Sequence, residues 1–208
     1  MKRSQEEYSE VMGSVLHDLK ELKNVVEQLM ALARITSGDV KATFDAVRLD
    51  ELVWQVQDNL IKIHPEYKIR VDTKLLPEMP EQMVVYGNEL LLKTAISNLC
   101  ENACKFSADQ TALVRIFLDE DNNPVLEVED NGKTIPPEEQ ILIFKAFYRS
   151  PHTSHIKGTG IGLPLVQHII TLHKARIGIN AGNTNGNKFT IWFDQFTSEP
   201  FAKLKKVS

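Results

Sequence analysis

Cysteine is scarce in this chain, whose 208 residues include only Cys100 and Cys104. The two lie one helical turn apart, and neither a second cysteine pair nor a histidine at zinc-binding spacing accompanies them. This argues against a disulfide framework and against a zinc site. We therefore predict two buried or partly buried free thiols in a reducing compartment.

Long apolar runs and an excess of basic charge are also missing. No stretch reaches the roughly 20 apolar residues that span a bilayer, and no signal peptide is recognisable, so we expect a soluble, cytoplasmic protein without membrane contact. The 28 Asp and Glu outnumber the 24 Lys and Arg, which argues against a general nucleic-acid binder. A hydrophobic content of 42% suffices for one α/β core with a helical arm.

The first informative motif is NLCENACKFS, residues 98 to 107. At about 100° per residue, Asn98, Asn102 and Lys105 lie within about 60° of one another beside an apolar stripe. An amide oxygen can complete a Mg²⁺ shell without repelling a triphosphate, and a lysine can meet the phosphates as a point charge. An ordinary amphipathic helix with a polar exposed face is the alternative interpretation.

A second motif, Asp130-Asn131-Gly132, closes the strand-like residues 125–129. A carboxylate at a strand end can accept a hydrogen bond from the exocyclic amine of adenine, whereas guanine presents a carbonyl acceptor at the matching position. Asp130 would therefore select adenine. A plain Asp-Asn-Gly turn is the alternative.

A third motif runs from Gly158 to Leu163 with the sequence GTGIGL, and Pro164 and an apolar-periodic helix follow. Glycines let backbone N–H groups approach a phosphate, and the start of a helix adds its positive dipole end. The run lacks the Gly-Lys-Ser/Thr ending of a Walker A loop. It also lacks the third glycine of a dinucleotide-binding fingerprint, because Leu163 occupies that place.

In this order, the three motifs closely resemble the N, G1 and G2 boxes of the ATP-binding domain of sensor histidine kinases, a branch of the superfamily that includes gyrase. Residues 143–149 resemble the F box, and the resemblance covers roughly residues 5 to 195. It implies an α/β (α+β) fold: a two-layer sandwich of the Bergerat type with a mostly antiparallel sheet, preceded by a long N-terminal helix. It also implies ATP and Mg²⁺ binding, transfer of the γ-phosphate to a histidine, and relay to the receiver domain of a response regulator.

The resemblance assigns residues to a nucleotide site and Asn102 to the metal. It assigns no catalytic residue within the chain. The implied nucleotide-binding residues are Asn98, Asn102, Lys105, Asp130, Gly132, Tyr148, Arg149, Gly158, Thr159, Gly160, Ile161, Gly162 and Leu163.

Two positions distinguish this chain within the superfamily. ATP-hydrolysing members carry a glutamate general base four residues before the Mg²⁺-binding asparagine, and here Asn98 stands there. Because an amide cannot take a proton from water, the site suits transfer to another acceptor. Thr134 replaces a usual glycine two residues after Gly132, which we expect to affect nucleotide affinity.

Residues 148 to 157 are expected to form a lid over the nucleotide, because they are polar, lack periodicity and lead into glycines. Arg149 and Lys157 would add positive charge near the phosphates. We interpret His152 and His155 as solvated lid residues rather than metal ligands, since no third ligand has suitable spacing.

The N-terminal third carries apolar residues at alternating steps of three and four, which is typical of a coiled-coil or helix-bundle seam. The segment resembles the second helix of a histidine kinase dimerisation domain, with Gly38 as its stop. We therefore expect a homodimer through this helix in the intact protein, and absence of the phosphoacceptor helix from this chain. The seam consists of Met12, Val15, Leu19, Leu22, Val26, Leu29 and Ala33.

His17 imitates the start of the phosphoacceptor motif in the run His-Asp-Leu-Lys. Leu22 occupies the place of the motif's proline, and only 17 residues separate His17 from Arg34, where the family has most of two helices. We therefore interpret His17 as an exposed helical residue rather than the acceptor, and expect no autophosphorylation by this chain alone.

The element pattern predicts helices over residues 49–61 and from Pro164 to near His173. It predicts strands over 67–71, 83–86, 111–118, 125–130, 176–181 and 189–193, with a hairpin turn at 121–123. We divide the chain into a dimerisation helix (1–40), an ATP-binding domain (41–196) and a tail or linker (197–208), and the parent protein could be a membrane-bound sensor with this as its cytoplasmic part.

Two other functions remain open from the sequence. One is a serine kinase of the anti-sigma type, against which the bundle-like N-terminal arm argues. The other is a catalytically silent nucleotide-binding dimerisation module.

Overall fold

The structure is a computed structural model that describes residues 5–37, 44–153, 156, 158–181 and 186–193. Its contacts divide the chain into two compact units, residues 1–40 and residues 41–208. The predicted stop at Gly38, the turn residues 182–185 and the predicted tail 197–208 lie outside the described residues.

The first unit is one long helix, α1 (Gln5–Ser37), as the period of apolar residues predicted. The described side chains of its seam are exposed, so that an apolar stripe without a covering layer runs along the helix. His17 lies within α1, but its side chain is outside the described part. The exposed large apolar residues of α1 are Tyr8, Val11, Met12, Val15, Leu16, Leu19, Leu22, Val26, Leu29 and Met30.

The second unit contains a five-stranded sheet with the order β2-β4-β5-β7-β6. The pair β2–β4 is parallel, and the other three pairs are antiparallel, which confirms the mostly antiparallel sheet. The five strands are β2 (Lys68–Asp72), β4 (Thr111–Leu118), β5 (Pro124–Glu129), β6 (Arg176–Ala181) and β7 (Asn187–Trp192). A separate antiparallel pair consists of β1 (Asp45–Arg48) and β3 (Val84–Gly87).

Three helices form the second layer and bury their apolar faces on the sheet. They are α2 (Leu49–Ile63), α3 (Glu89–Phe106) and α4 (Gly162–Leu172). The apolar residues recur every three or four positions, so each helix presents one stripe to the core. Fully buried side chains include Leu52, Leu92, Ile96, Leu99, Ile116, Leu126, Leu165 and Ile169.

The boundaries differ from the sequence prediction at a few places. Met83 was predicted to begin a strand and instead ends a short 3-10 helix (Pro80–Met83), because Pro80 fixes the start of that turn. Strand β1 was not predicted, because its sequence Asp-Ala-Val-Arg does not alternate between polar and apolar residues. The predicted turn at 121–123 is present, and Asn122 adopts the left-handed conformation with φ of 61°.

Both cysteines are buried free thiols on α3, as predicted. Burial raises the pKa of Cys104 to about 12 and shifts the pKa of Cys100 further in the same direction. Both groups are therefore protonated at neutral pH and behave as small apolar side chains.

His173 joins the beginning of α3 to the end of α4. Its Nε2 accepts from the backbone N–H of Asn88 at 2.9 Å, and its Nδ1–H donates to the carbonyl of Ile169 at 2.7 Å. The ring is buried and packs against Phe44, with the ring centroids 4.9 Å apart. Because one ring nitrogen accepts and the other donates, the bonded form is the neutral imidazole.

We expect the stability of the second unit to fall as the pH drops below about 6.5, because burial lowers the pKa of His173 from its ordinary value. The unfolded chain then binds more protons than the folded chain, so the free energy of unfolding rises with pH up to about 6.5 and then levels off for this group. Urea unfolding across this range measures the effect.

The variant His173→Gln supplies a donor and an acceptor that do not titrate. Its free energy of unfolding should depend less on pH below about 6.5 than that of the wild type. Parallel curves for the two proteins would show that His173 does not contribute to the acid sensitivity.

Candidate nucleotide site

Helix α3 carries the predicted residues Asn98, Asn102 and Lys105, and a capping residue fixes where this helix begins. The Asn88 side chain caps it by accepting from the backbone N–H of Leu91 at 3.0 Å, and Glu89 lies in the first turn, where a negative charge is favourable. Seven buried residues of α3 face the core. They are Leu92, Ala95, Ile96, Leu99, Cys100, Ala103 and Cys104.

Along the neighbouring edge, Asn98 and Asn102 are half-buried and Lys105 is exposed. The Asn98 amide donates to the backbone carbonyl of Thr94 at 2.9 Å, which orients it on the helix surface. The predicted trio therefore lies on one helix, with two amides at the margin of the core and a cation near the last turn.

The start of α4 lies directly against these amides. A Cβ added at Gly162 would lie 2.7 Å from Asn98 Oδ1 and 3.9 Å from Asn102 Nδ2. The first of these distances is shorter than real Cβ contacts, so any other residue at position 162 would require the Asn98 amide to move. The glycine run and the Asn98–Asn102 edge therefore meet, although about 60 residues separate them in sequence.

The end of α3 contacts the second motif. A Cβ at Gly132 would lie 2.0 Å from the carbonyl oxygen of Phe106, the last residue of α3. The Asn131 side chain also accepts from the backbone N–H of Ala108 at 3.1 Å and donates to Asp109 Oδ1 at 3.1 Å. The loop after β5 is thus fixed to the turn that follows α3.

Asp130 is buried at the end of β5, with 6% of its surface exposed. Its Oδ1 accepts from the backbone N–H of Gly132 at 2.8 Å. Burial raises the pKa of Asp130, while the hydrogen bonds from Gly132 and Asn187 act in the opposite direction. The predicted base-selecting residue is therefore a buried carboxylate held in a hydrogen-bonded turn.

Asn187, on β7, is a site residue that the sequence analysis missed. It is 2% exposed, and its amide nitrogen lies 3.2 Å from both Asp130 carboxylate oxygens. A single Asn at the end of a Gly-rich turn carries no sequence signal for this role, because strand pairing of β5 with β7 brings it beside Asp130.

Thr134, the departure from the family pattern, is exposed. Its hydroxyl donates to the carbonyl of Gly186 at 3.4 Å, at the long end of the hydrogen-bond range. The side chain therefore points to the turn before β7, where it adds a contact between the two loops.

A backbone hydrogen bond joins the residues on either side of the predicted lid. The backbone N–H of Phe147 donates to the carbonyl of Gly160 at 2.9 Å, and both residues have positive φ values, 65° and 72°. An aromatic residue in this conformation is uncommon and strained. A Cβ at Gly160 would meet the backbone of Phe147 and Tyr148 within 3 Å.

The structure describes several residues of the predicted lid and their contacts. Tyr148 is half-buried, and partial burial together with the nearby Glu139 carboxylate raises its pKa. Arg149 is exposed and donates to the carbonyl of Ile156 at 2.6 Å. His152 is exposed, 3.9 Å from Glu139. Lys157 and His155 lie outside the described residues.

The glycine run, residues 158–162, begins at the protein surface and leads into the core. Gly158 and Thr159 are exposed, a Cβ at Gly158 would meet nothing within 4 Å, and Ile161 is buried. The backbone N–H of Ile161 lies 3.4 Å from the Thr159 hydroxyl, its hydrogen-bond acceptor. Since α4 begins at Gly162, its first N–H groups point away from the helix, toward the loop.

The donor set limits the kind of metal that the site can hold. Among the described residues, no three His, Cys, Asp or Glu side chains gather in a metal-binding cluster. The polar side chains beside Gly162 are the neutral amides of Asn98 and Asn102. This fits a Mg²⁺ ion that is coordinated mainly by phosphate oxygens and water, with one amide oxygen from the protein.

Comparison with known proteins identifies the family. Residues 87–197 match the sequence family described as histidine kinase-, DNA gyrase B-, and HSP90-like ATPase. The chain is 32% identical over 169 residues to the sensor protein kinase PmrB of Pseudomonas aeruginosa, covering 81% of this chain and 34% of that protein. It spans about a third of the length of the curated relatives that it matches.

Solved structures show the same fold. The Acinetobacter baumannii histidine kinase AdeS matches with a TM-score of 0.70 at 21% identity, covering 92% of this chain and 85% of that one. Full-length ShkA in complex with AMPPNP matches with a TM-score of 0.71 at 20% identity, covering 92% of this chain and 39% of that one.

The helices in the described ranges include none with the length and apolar character needed to cross a membrane. The matched family covers α3, the loops after β5 and before α4, and strand β7, which are the elements that meet around Gly162 and Asp130. The chain belongs to the family of histidine kinase-, DNA gyrase B-, and HSP90-like ATPases, and it contains the ATP-binding catalytic domain of a sensor histidine kinase.

Proposed function

We propose that this chain binds ATP with Mg²⁺ and presents the γ-phosphate to a histidine on a helix outside the chain, from which it passes to an aspartate of a response regulator receiver domain. The observation that carries the proposal is the contact of Gly162 with Asn98 and Asn102. It places a glycine-rich loop, whose N–H groups can approach a phosphate, next to two side chains with neutral oxygen atoms.

Each group has a separate task in this proposal. The buried Asp130 carboxylate accepts a hydrogen bond from the adenine amine, and the N–H groups of residues 158–162 bind phosphate oxygens. Asn102 completes the shell of Mg²⁺, which when bound supplies positive charge against the triphosphate. Lys105, exposed in the last turn of α3, contacts a phosphate.

Because residue 98 is asparagine, we propose that the γ-phosphate is transferred to another group rather than to water. The Asn98 amide nitrogen donates to the Thr94 carbonyl, and an amide oxygen is too weakly basic to take a proton from water. Phosphoryl transfer needs mainly positioning and charge stabilisation. A domain that binds and orients ATP therefore contributes what the reaction requires, provided that the acceptor is supplied.

The relatives support this assignment. They include proteins named sensor protein kinase PmrB and sensor histidine kinase CusS, and the structure of ShkA was solved in complex with AMPPNP, an ATP analogue. The exposed apolar seam of α1 supports a homodimer in the intact protein, because a stripe of this kind is stable in water only when another helix covers it. Because the proposed substrate is ATP, we propose that this domain lies in the cytoplasm.

We expect radiolabelled γ-phosphate to reach histidine only when an acceptor helix is supplied in trans. The chain would be incubated with ATP and Mg²⁺, alone and with a separate polypeptide that carries the phosphoacceptor helix of a histidine kinase. The label should be acid-labile and confined to the added polypeptide, because phosphohistidine hydrolyses in acid.

The other outcomes separate the alternatives. Acid-stable label would support the serine kinase, and absence of label despite ATP binding would support the silent module. A matched acceptor polypeptide with its histidine replaced by glutamine is the control, since any label that remains on it would come from another residue. Label on His17 of the chain itself would reverse our interpretation of that residue.

A further inference from the structure

Asn187 uses every hydrogen-bonding group of its side chain inside the protein. Its amide nitrogen donates to the Asp130 carboxylate and also to the carbonyl of Lys133 at 2.9 Å. Its Oδ1 accepts from the backbone N–H of Ile135 at 2.7 Å. The side chain is therefore the centre of a network that connects β7 to the loop after β5.

The backbone contacts determine which way the amide points. An amide rotated by 180° would place its oxygen against the Lys133 carbonyl and the Asp130 carboxylate, and its nitrogen against the Ile135 N–H. All three contacts would then be repulsive. The nitrogen must consequently face Asp130, so residue 187 acts on the carboxylate only as a donor.

Among the described residues, the two groups that hydrogen-bond the Asp130 carboxylate are both donors. Gly132 supplies a backbone N–H to Oδ1, and Asn187 supplies its amide to both oxygens. A protonated Asp130 would lose these partners in part, because its O–H would face donors. The arrangement therefore favours the ionised carboxylate, which can only accept hydrogen bonds from a ligand.

We propose that Asn187 is the specificity-determining positioning residue of the site: by donating to Asp130, it keeps that carboxylate an acceptor, and so restricts the site to bases that present an amino group there. The proposal rests on the proposed function, in which Asp130 meets the base. An ionised Asp130 attracts the amine of adenine and repels the carbonyl of guanine, whereas a protonated Asp130 could donate to guanine.

The need for such a donor follows from the surroundings of Asp130. Burial and the negative charge of Glu129 both raise the pKa of Asp130. Of the nearby lysines, Lys188 pairs with Glu127 at 2.8 Å and Lys133 is exposed. Hydrogen bonds are therefore what opposes protonation, and Asn187 supplies more of them than any other side chain described here.

The test compares ATP and GTP binding by the wild type and Asn187→Leu between about pH 6 and pH 8. Leucine has a similar size and no donor. We expect wild-type affinity for ATP to be nearly constant across this range. In the variant, ATP affinity should fall as the pH is lowered, and the preference for ATP over GTP should shrink at least about tenfold at the acidic end.

A matched control lies on the same strand. Thr190 is 2% exposed, and within the described ranges its hydroxyl makes no hydrogen bond, so Thr190→Val removes a buried polar atom from β7 and leaves the hydrogen bonds of Asp130 in place. Its pH profile and base preference should equal those of the wild type. If Asn187→Leu merely weakened β7, its affinity for ATP and for GTP would fall equally at all pH values.

A folded Leu variant with a flat pH profile and an unchanged ATP preference would overturn the inference. If that variant does not fold, the carboxyl ¹³C signal of Asp130 in the wild type decides instead. It should report an ionised group at neutral pH, and a protonated group there would overturn the inference. Absence of ATP binding by the wild type would instead refute the proposed function itself.

Discussion

Asn102→Ala is expected to weaken Mg²⁺-dependent binding of ATP by at least about 100-fold, because alanine removes the oxygen that completes the metal shell. Loss of a group that only supports a metal ligand typically lowers affinity about 10–100-fold, and loss of the ligand itself should cost at least as much. Isothermal titration with ATP in the presence and absence of Mg²⁺ measures the effect. The variant should bind about equally weakly under both conditions.

Asn59→Ala provides the matched control, because Asn59 is an exposed asparagine on helix α2 of the same unit. It makes the same chemical change away from the cleft, so affinity and its dependence on Mg²⁺ should be unchanged. Undiminished Mg²⁺-dependent binding by Asn102→Ala would remove Asn102 from the metal site.

Gly132→Ala is expected to be among the most damaging single-methyl additions in the chain. The new Cβ would lie 2.0 Å from the carbonyl oxygen of Phe106, a backbone atom that cannot swing aside. Overpacking of this kind costs about 3 kcal/mol, which corresponds to a fall of about 10 °C in melting temperature for a domain of this size. Any folded fraction should bind ATP weakly, since the loop that carries Asp130 must shift.

Thermal unfolding of Gly132→Ala and Gly158→Ala side by side measures the effect. The second variant adds the same methyl group where nothing lies within 4 Å, so its melting temperature should remain close to that of the wild type. Equal melting temperatures for the two variants would contradict the close contact between the loop after β5 and the end of α3.

The main elements of the fold could be predicted because their apolar residues follow regular periods. The period of α1 and the apolar stripe of α3 predicted a helix in each place, and the structure has helices over Gln5–Ser37 and Glu89–Phe106. The strands Thr111–Leu118 and Arg176–Ala181 were predicted with the observed bounds. Strand β1 was missed because Asp-Ala-Val-Arg does not alternate between polar and apolar residues, and the 3-10 helices were missed because they are too short to show a helical period.

The part of the candidate site that could be predicted consists of residues that belong to one sequence motif. Asn98, Asn102 and Lys105 share a helix, so their common edge follows from helical geometry alone. Asn187 was not predictable, because its neighbour Asp130 is 57 residues away and the two meet only through pairing of β5 with β7. The approach of Gly162 to Asn98 likewise depends on how α3 packs against α4.

The strain at Phe147 also lies beyond sequence reasoning. An aromatic residue gives no reason to expect a positive φ, and here the bond between Phe147 and Gly160 imposes it at the base of the lid. The sequence predicted a lid that leads into glycines, and beside that segment the structure has a hydrogen bond between Phe147 and Gly160, a pair of which only one member is glycine.

The central claim is that a purine nucleotide binds between the amide edge of α3 and the glycine run before α4. A crystal structure of the chain with Mg²⁺ and a non-hydrolysable ATP analogue tests it most directly. We expect the base at Asp130, the metal at Asn102 and the triphosphate along residues 158–162. Density for the analogue at another surface, with this cleft closed by side chains, would contradict it.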